Sequence, residues 1–348
     1  LTGKAKFGIF GDGKEVPQLA MAKVFKKGDW RAGYYRDQTF AFATGITTIK
    51  EFFAQLYANP DVEKEPASAG RQMNAHFATR SLNEDGTWKN LTEMKNCSAD
   101  MSPTAGHMAR LVGLAYASKL FRNNSSLKGF EKLSIDGNEV AFGTIGDAST
   151  SEGPFWESIN AAGVLQVPMV MSVWDDGYGI SVPRELQTTK GSISEVLAGF
   201  EKKPGTNGIK IFTVNGWDYA ALCETFEEGI AYTRTTHTPV VFHVKEVTQP
   251  QGHSTSGSHE RYKSAERLEW ERNWDCNKQM RAWLILNELA TAESLDQLES
   301  EVKQDVRNKK QAAWDQYILP IKSKIQAAAD LVYAGLAQDT PQYHMVQE

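Results

Sequence analysis

The chain has 348 residues, with 38 Lys and Arg against 43 Asp and Glu, which gives a formal net charge of −5. This length allows one large α/β domain or two smaller domains. The acidic balance gives no reason to expect nucleic acid or an anionic membrane as a partner, and no apolar run reaches the roughly 18 residues that a membrane-spanning helix needs.

The segment before Gly70 has a mixed composition that is rich in aromatic and basic residues. Within it, EFFAQLYANP from Glu51 predicts a helix that Pro60 stops. The polar segment 70–86 predicts a loop. Small and apolar residues recur at helical spacing in TAGHMARLVGLAYASKLF from Thr104, which predicts a closely packed helix.

Short β-branched runs alternate with helical segments between Glu139 and Val247. The runs are VAFGTI, VPMVMSV, IKIFTV and PVVFHVKEV, and the helices lie over PFWESINAAGVL and DYAALCETFEEGIAYTRTT. This alternation predicts an α/β fold with a doubly wound, mostly parallel sheet and helices on both faces. A loop follows, and the chain from Ala265 is charged and helical. We therefore expect an α/β domain over 1–264 and a helical C-terminal extension over 265–348, which covers the sheet or meets another subunit.

Carboxylates follow two of the predicted strands. GDASTSEG begins at Gly146, and WDDGYGIS begins at Trp174. Ligands of open α/β sheets bind beyond the carboxyl ends of the strands, and Mg²⁺ is usually held by one or two carboxylates with phosphate oxygens and water. Asp147 and Asp176 therefore indicate a site for a diphosphate bound through Mg²⁺, beside a helix N-terminus that suits phosphate. By residue type alone, a capping role for Asp147 and a tight turn at DDGYG are equally good interpretations.

A longer pattern resembles the thiamine-diphosphate-dependent 2-oxo acid dehydrogenases, and specifically the alpha-type half of their first component. The fingerprint of these enzymes is Gly-Asp-Gly followed at a set distance by Asn-Asn, and GDASTSEGPFWESINAAGVLQVPMVMSVWDDGYGIS has that frame. Further motifs follow the family's order, namely GYYRD at Gly33, GRQMNAHF at Gly70, MSPTAGHMARLVGLA at Met101 and GHSTS at Gly252. The resemblance extends from about Ala32 to Ser264.

The resemblance implies the thiamine-diphosphate-binding fold, with thiamine diphosphate and Mg²⁺ as cofactors. It implies that Asp147 and Asp176 ligate Mg²⁺ through their side chains, and Tyr178 through its carbonyl. It also implies cofactor-binding roles, for the diphosphate or elsewhere in the cleft, for Tyr35, Arg36, Ser102, Thr104, Ala148 and Ser149. His253 would sit over the thiazolium as a catalytic and cofactor-binding residue, and His76 would face the site as a second catalytic residue.

Several positions depart from the family pattern. Ala148 replaces the last Gly of the fingerprint, which raises the question of whether that position needs φ > 0. Asp175–Asp176 replaces the Asn pair and adds negative charge, which should weaken cofactor binding unless cations such as Arg36 compensate. Trp174 stands where branched-chain relatives carry a phosphate-binding Arg. Gly106–His107 replaces a Thr-Gln pair of a monovalent-cation site, so we do not expect that ion.

The activity implied by the resemblance is oxidative decarboxylation of a 2-oxo acid, with acyl transfer to the lipoyl group of a partner acyltransferase. GHSTS, through Thr255, is more similar to the branched-chain enzymes than to the pyruvate enzymes, which favours a substrate such as 2-oxoisovalerate over pyruvate. Ser254 occupies a position that is phosphorylated in some relatives.

The family also needs a beta-type half, which supplies a catalytic glutamate, and the chain has no second doubly wound pattern. We therefore expect a separate beta subunit or a longer fused chain, in a heterotetramer or a fused homodimer. A start at Leu1 fits a fragment or a trimmed product. The three widely spaced cysteines form no metal-binding pattern and predict reduced thiols in a cytoplasmic protein.

Other functions stay open at this point. A Mg²⁺-dependent phosphohydrolase would use Asp147 and Asp176 but leaves GYYRD and GHSTS without a role. A degenerate scaffold subunit would explain the substituted fingerprint but not the retained Arg36 and His253. GDGKE at Gly11 is too short to indicate dinucleotide binding, and His253 with His259 lacks a third zinc ligand.

Overall fold

A central sheet of six parallel strands organises the chain in a computed structural model, which describes residues 9–253 and 259–335 together with Pro341 and Met345. The strand order is β2-β1-β3-β4-β8-β7, and a two-stranded antiparallel hairpin, β5-β6, lies outside the sheet. The strands are β1 (Trp30–Ala32), β2 (Asn96–Cys97), β3 (Ala141–Gly146), β4 (Met169–Trp174), β5 (Tyr178–Gly179), β6 (Val182–Pro183), β7 (Lys210–Asn215) and β8 (Val240–Lys245).

The helices cover both faces of the sheet. They are α1 (Glu15–Val24), α2 (Gln38–Thr44), α3 (Ile49–Leu56), α4 (Met108–Asn123), α5 (Gly153–Leu165), α6 (Ile193–Leu197), α7 (Tyr219–Thr236), α8 (Ala265–Asn273), α9 (Cys276–Leu286) and α10 (Ala292–Gly335). The predicted α/β fold with a doubly wound parallel sheet and a helical C-terminal extension is therefore confirmed.

Two hydrophobic cores lie on opposite faces because successive strand residues point to opposite sides. Phe142 and Val170 pack with α1 and α7 on one face. Ala141 and Met171 pack with α4 and α5 on the other. The central strands are buried on both faces, which explains why their sequences are continuous apolar runs.

The first part of the chain holds two sheet strands that its sequence pattern does not predict. β1 has three residues and β2 has two, and β1 carries the buried Arg31 at its centre. Strands this short show no hydrophobic periodicity, and an arginine in a sequence usually indicates an exposed position. The helix predicted over EFFAQLYANP ends at Leu56, four residues before Pro60, and starts with a capping box between Thr48 and Glu51.

Each helix of the extension contacts the α/β part. Arg267 of α8 donates a hydrogen bond of 2.6 Å to the carbonyl of Asp176. α9 packs on α1, and α10 packs on α3, where the rings of Trp314 and Tyr57 are 5.2 Å apart. The extension therefore reaches one of the predicted site loops. Across residues 9–253 and 259–335, no helix has both the length and the apolar character needed to cross a bilayer.

Candidate functional site

A cleft of about 550 Å³ opens at the carboxyl ends of β3 and β4. These ends are adjacent because β3 and β4 pair in parallel register, with Gly146 opposite Trp174. Nine of the residues predicted for the site line the cleft: Tyr35, Arg36, Thr104, Asp147, Ala148, Ser149, Asp176, Tyr178 and His253. The structure thus brings together motifs that are spread over more than two hundred residues of sequence.

Ser102 and His76 do not line the cleft but contact each other beside it. The Nε2 atom of His76 lies 2.8 Å from the hydroxyl of Ser102, and its Nδ1 atom lies 3.1 Å from the carbonyl of Met73. Because that carbonyl can only accept, Nδ1 carries the proton and Nε2 accepts from Ser102. The ring of His76 is 6.3 Å from that of Tyr35. His76 is therefore next to a residue that lines the cleft, and it contacts Ser102 through Nε2.

Asp147 follows β3 and has an unsatisfied, buried oxygen. Its Oδ2 atom has no hydrogen-bond partner among the described residues, and its side chain caps no helix. Burial raises the pKa of Asp147 well above its ordinary value, and the nearby charges of Asp176 and Asp175 raise it further. The capping interpretation is therefore wrong, and the carboxyl group is placed to accept a cation or a proton.

Asp176 follows β4 and is held as an anion. Its Oδ2 atom is 3.1 Å from Nζ of Lys14 and 3.1 Å from Nε2 of His253, while Oδ1 accepts from the amide of Tyr178 at 3.1 Å. Burial would raise the pKa of Asp176, but Lys14 and His253 bring it well below the ordinary range. Asp176 therefore presents a charged carboxylate to the same cleft as Asp147.

Asp175 is satisfied by a separate network and does not line the cleft. Its Oδ2 atom is 2.8 Å from Nε2 of His243 and 3.3 Å from Arg184, and its Oδ1 atom accepts from the amide of Gly177 at 2.9 Å. His243 in turn contacts the hydroxyl of Ser194 at 2.9 Å. Although burial opposes it, the hydrogen bond and charge of His243, with Arg184, lower the pKa of Asp175.

The same segment forms the turn that was the alternative interpretation of DDGYG. Gly177 has φ of 78°, a left-handed conformation that strongly favours glycine. The turn and the carboxylate pair are thus one feature, because Asp175 accepts the amide of Gly177 and Asp176 accepts the amide of Tyr178.

Ala148 answers the question raised by the altered fingerprint. It begins a short 3₁₀ helix, Ala148–Ser151, and is not one of the residues with positive φ. Its methyl group packs against Gly179, where an added Cβ would come within 2.7 Å of the Cβ of Ala148. Ala148 therefore causes no backbone strain, and its methyl group has space because the facing residue, Gly179, has no side chain.

Arg36 is anchored by two backbone carbonyls. Its Nη1 and Nη2 atoms donate hydrogen bonds of 2.7 Å to Phe10 and to His253, respectively. The guanidinium therefore joins the N-terminal segment to the loop that carries His253. Trp174 is fully buried where relatives were expected to carry an arginine, and its Nε1 atom has no partner among the described residues.

Lys14 also belongs to the cleft, although no sequence motif indicates it. It is 1% exposed, and its ammonium lies beside Asp176. The sequence had instead suggested Arg36 as the cation that compensates the added negative charge. The only signal was GDGKE, which places a lysine directly after a glycine turn. The predictions on phosphorylation and substrate preference depend on Ser254 and Thr255. These two residues lie outside the described residues.

A metal at this site would need more than side chains. No group of three or more His, Cys, Asp or Glu that could hold a metal is found in the described ranges. Two carboxylates are present, so the remaining ligands would have to be carbonyl, water or phosphate oxygens, which is the usual arrangement for Mg²⁺.

Comparison with known proteins identifies the family. The sequence model of the family described as dehydrogenase E1 component matches residues 2–322. The chain is 29% identical to 2-oxoisovalerate dehydrogenase subunit alpha of Bacillus subtilis (strain 168) over 69% of this chain and 62% of that protein. It is 28% identical to 3-methyl-2-oxobutanoate dehydrogenase subunit alpha of Mycobacterium tuberculosis (strain ATCC 25618 / H37Rv), over 74% and 57%.

A pyruvate enzyme matches over a longer range. Pyruvate dehydrogenase E1 component subunit alpha of Rickettsia prowazekii (strain Madrid E) is 25% identical, over 88% of this chain and 82% of that protein. The chain spans only about three-fifths of the Bacillus and Mycobacterium proteins. The family match covers most of the chain, and the chain belongs to the dehydrogenase E1 component family.

Proposed function

We propose that this chain is the alpha-type part of a thiamine-diphosphate-dependent 2-oxo acid dehydrogenase. The observation that carries the proposal is the single cleft in which Asp147 and Asp176 face the GYYRD residues and His253. The family membership supports the same activity. A phosphohydrolase would leave the tyrosine, arginine and histidine around the two carboxylates without a role.

The residues of the cleft fit a diphosphate bound through Mg²⁺. Asp147 offers a buried oxygen that has no partner in the described part of the chain, and Asp176 is kept ionised. These two side chains would ligate Mg²⁺ together with the carbonyl of Tyr178. The diphosphate would lie against Tyr35, Arg36 and Ser149, with Thr104 and Ala148 lining the remainder and His76 and Ser102 supporting Tyr35.

The cofactor, when bound, supplies the nucleophilic carbon and stores the electrons that decarboxylation releases. The chain's own residues hold and orient it. The ring of His253 is fixed by the contact between Nε2 and Asp176, while Nδ1 has no partner among the described residues. We infer that His253 moves or stabilises a proton at the substrate, which makes it the catalytic residue of this chain.

Substrate and assembly follow from the same proposal. The names of the Bacillus and Mycobacterium relatives favour a branched-chain 2-oxo acid such as 2-oxoisovalerate over pyruvate. We propose that residues 1–264 form the cofactor-binding domain and that the extension over 265–348 leads toward a beta-type half, separate or fused. The acyl group would pass to a lipoyl-bearing acyltransferase. The cysteines of the chain are free, which fits a cytoplasmic location.

The proposal is tested by assaying the chain in its complete assembly with the beta-type half. We expect decarboxylation of 2-oxoisovalerate, and less of pyruvate, that depends on added thiamine diphosphate and Mg²⁺. His253→Ala should lower kcat by about 100-fold or more, which is the usual contribution of a positioned acid–base group. His259→Ala is the matched control, because His259 pairs with Glu260 and does not line the cleft.

Two results would contradict the proposal. Hydrolysis of a phosphate ester without thiamine diphosphate would favour a phosphohydrolase. A properly assembled complex that turns over no 2-oxo acid would favour a scaffold subunit.

A further inference from the structure

The strongest unexplained feature of the cleft is a lysine that is almost completely buried. Lys14 is 1% exposed, and lysine is among the residues least often buried without a partner. Its Nζ atom makes three contacts, at 3.1 Å to Asp176 Oδ2, 2.8 Å to the carbonyl of Thr248 and 2.7 Å to Oε1 of Gln249. All three ammonium protons are therefore used.

The backbone before Lys14 is shaped for this placement. Gly13 has φ of 80°, and a Cβ there would lie 2.4 Å from the carbonyl oxygen of Thr248. Any other residue at this position would push the N-terminal segment away from the loop after β8. Lys14 thus ties together the start of α1, the loop after β4 and the loop that leads to His253.

We propose that Lys14 is a positioning residue that neutralises Asp176, so that an aspartate can serve where relatives were expected to carry asparagine. When Asp147 is ionised to ligate Mg²⁺, Asp147 and Asp176 together carry two negative charges, and the ammonium of Lys14 leaves the net charge of one carboxylate. This is the charge that an Asp and Asn pair would present to a Mg²⁺-bound diphosphate. Lys14 and His253 both contact Oδ2 of Asp176, whereas Oδ1 accepts one amide, that of Tyr178.

Because Lys14 and Asp176 form a buried ion pair, the effects of replacing them on stability and on cofactor binding should be coupled. Removing one partner of a buried pair leaves an uncompensated charge, whereas replacing both by neutral groups avoids that cost. Lys14→Gln leaves Asp176 to repel the diphosphate. Asp176→Asn leaves the ammonium of Lys14 to repel the metal. The double variant removes both charges.

The inference rests on the proposed function and is tested by a double-mutant cycle in the complete assembly. Binding of thiamine diphosphate is measured by calorimetry over a range of Mg²⁺ concentrations, and the unfolding midpoint is measured without cofactor. We expect each single variant to bind the diphosphate about tenfold more weakly and to unfold at a lower temperature. The double variant should bind within about threefold of the wild type and unfold above both single variants. Lys23→Gln, on the exposed side of α1, is the control and should change neither quantity.

The outcomes separate this inference from the proposed function. Normal wild-type binding with additive effects of the two substitutions would overturn the role of Lys14 alone. Wild-type binding that needs no Mg²⁺ until Lys14 is replaced would mean that the ammonium substitutes for the metal, which also overturns it. No wild-type binding would overturn the proposed function and this role together, even if the unfolding midpoints show coupling.

Discussion

Asp147→Asn is expected to stabilise the cofactor-free protein while it weakens binding of Mg²⁺ and thiamine diphosphate by about 100-fold or more. Replacing a residue that only hydrogen-bonds to a metal ligand lowers metal affinity by about 10–100-fold. Asp147→Asn removes the ligating carboxylate itself, so the loss in affinity should be at least as large. The gain in stability follows because the carboxylate is buried, lies near two other aspartates and has an oxygen that no described residue contacts by a hydrogen bond. An asparagine has no charge for these aspartates to repel.

The pH dependence of this effect has a definite sign. The pKa of Asp147 is raised in the folded protein, so the folded state holds this proton more tightly than the unfolded state does. The wild type therefore loses stability as pH rises from the ordinary aspartate pKa through the raised value. The difference in unfolding midpoint between Asp147→Asn and wild type should grow over that range. Asp330→Asn, on the exposed part of α10, is the control, and a variant less stable than wild type at neutral pH would contradict the expectation.

Arg31→Met is expected to have the largest effect on folding, with a loss of about 3–5 kcal/mol in the free energy of unfolding. Arg31 is 1% exposed, and its guanidinium lies 2.6 Å from Asp37 and 2.9 Å from Asp100. Methionine fills a similar volume but leaves both carboxylates buried without their cation. Burial already raises the pKa of Asp100 to about 6 in the presence of the arginine.

The same substitution should disturb the cleft. Arg31 donates to the carbonyl of Tyr34 at 3.0 Å, so it shapes the turn that presents Tyr35 and Arg36. Urea unfolding measures the stability, with Arg31→Lys expected to fall between wild type and Arg31→Met because it keeps the charge but loses the planar fork. Arg272→Met removes an exposed ion pair and should change stability by about 0.5 kcal/mol or less. A loss below about 1 kcal/mol for Arg31→Met would show that the buried pairs are not needed for folding.

The strands that carry the cleft were predictable because they are buried on both faces. β3, β4 and β8 have this burial and read as continuous apolar runs. The edge strand β7 is only partly buried but is also a short β-branched run, and the helix-length segments between the runs indicate a parallel sheet. β1 and β2 were not predictable from the same pattern. Each is too short to show a period, and β1 is stabilised by ion pairs of Arg31 with Asp37, six residues away, and with Asp100, 69 residues away.

The carboxylates of the site were predictable, but their charge partners were not. Asp147 and Asp176 directly follow recognisable strands, so the fold itself brings them together. Lys14 is 162 residues from Asp176 in sequence and lies in a segment without a clear pattern. His243 lies inside β8, where the surrounding apolar run suggests only a core position. Such partners are fixed by tertiary contacts, and no local spacing indicates them.

Assignment of the cleft to the cofactor is tested most directly by calorimetric titration of thiamine diphosphate into the complete assembly, with and without Mg²⁺. We expect saturable binding at one site per chain that requires Mg²⁺ and weakens by at least about tenfold in Arg36→Ala, because a charge-assisted contact to phosphate is lost. Arg272→Ala should bind like the wild type. Absence of binding in an assembled, folded complex would contradict the assignment of this cleft to the cofactor.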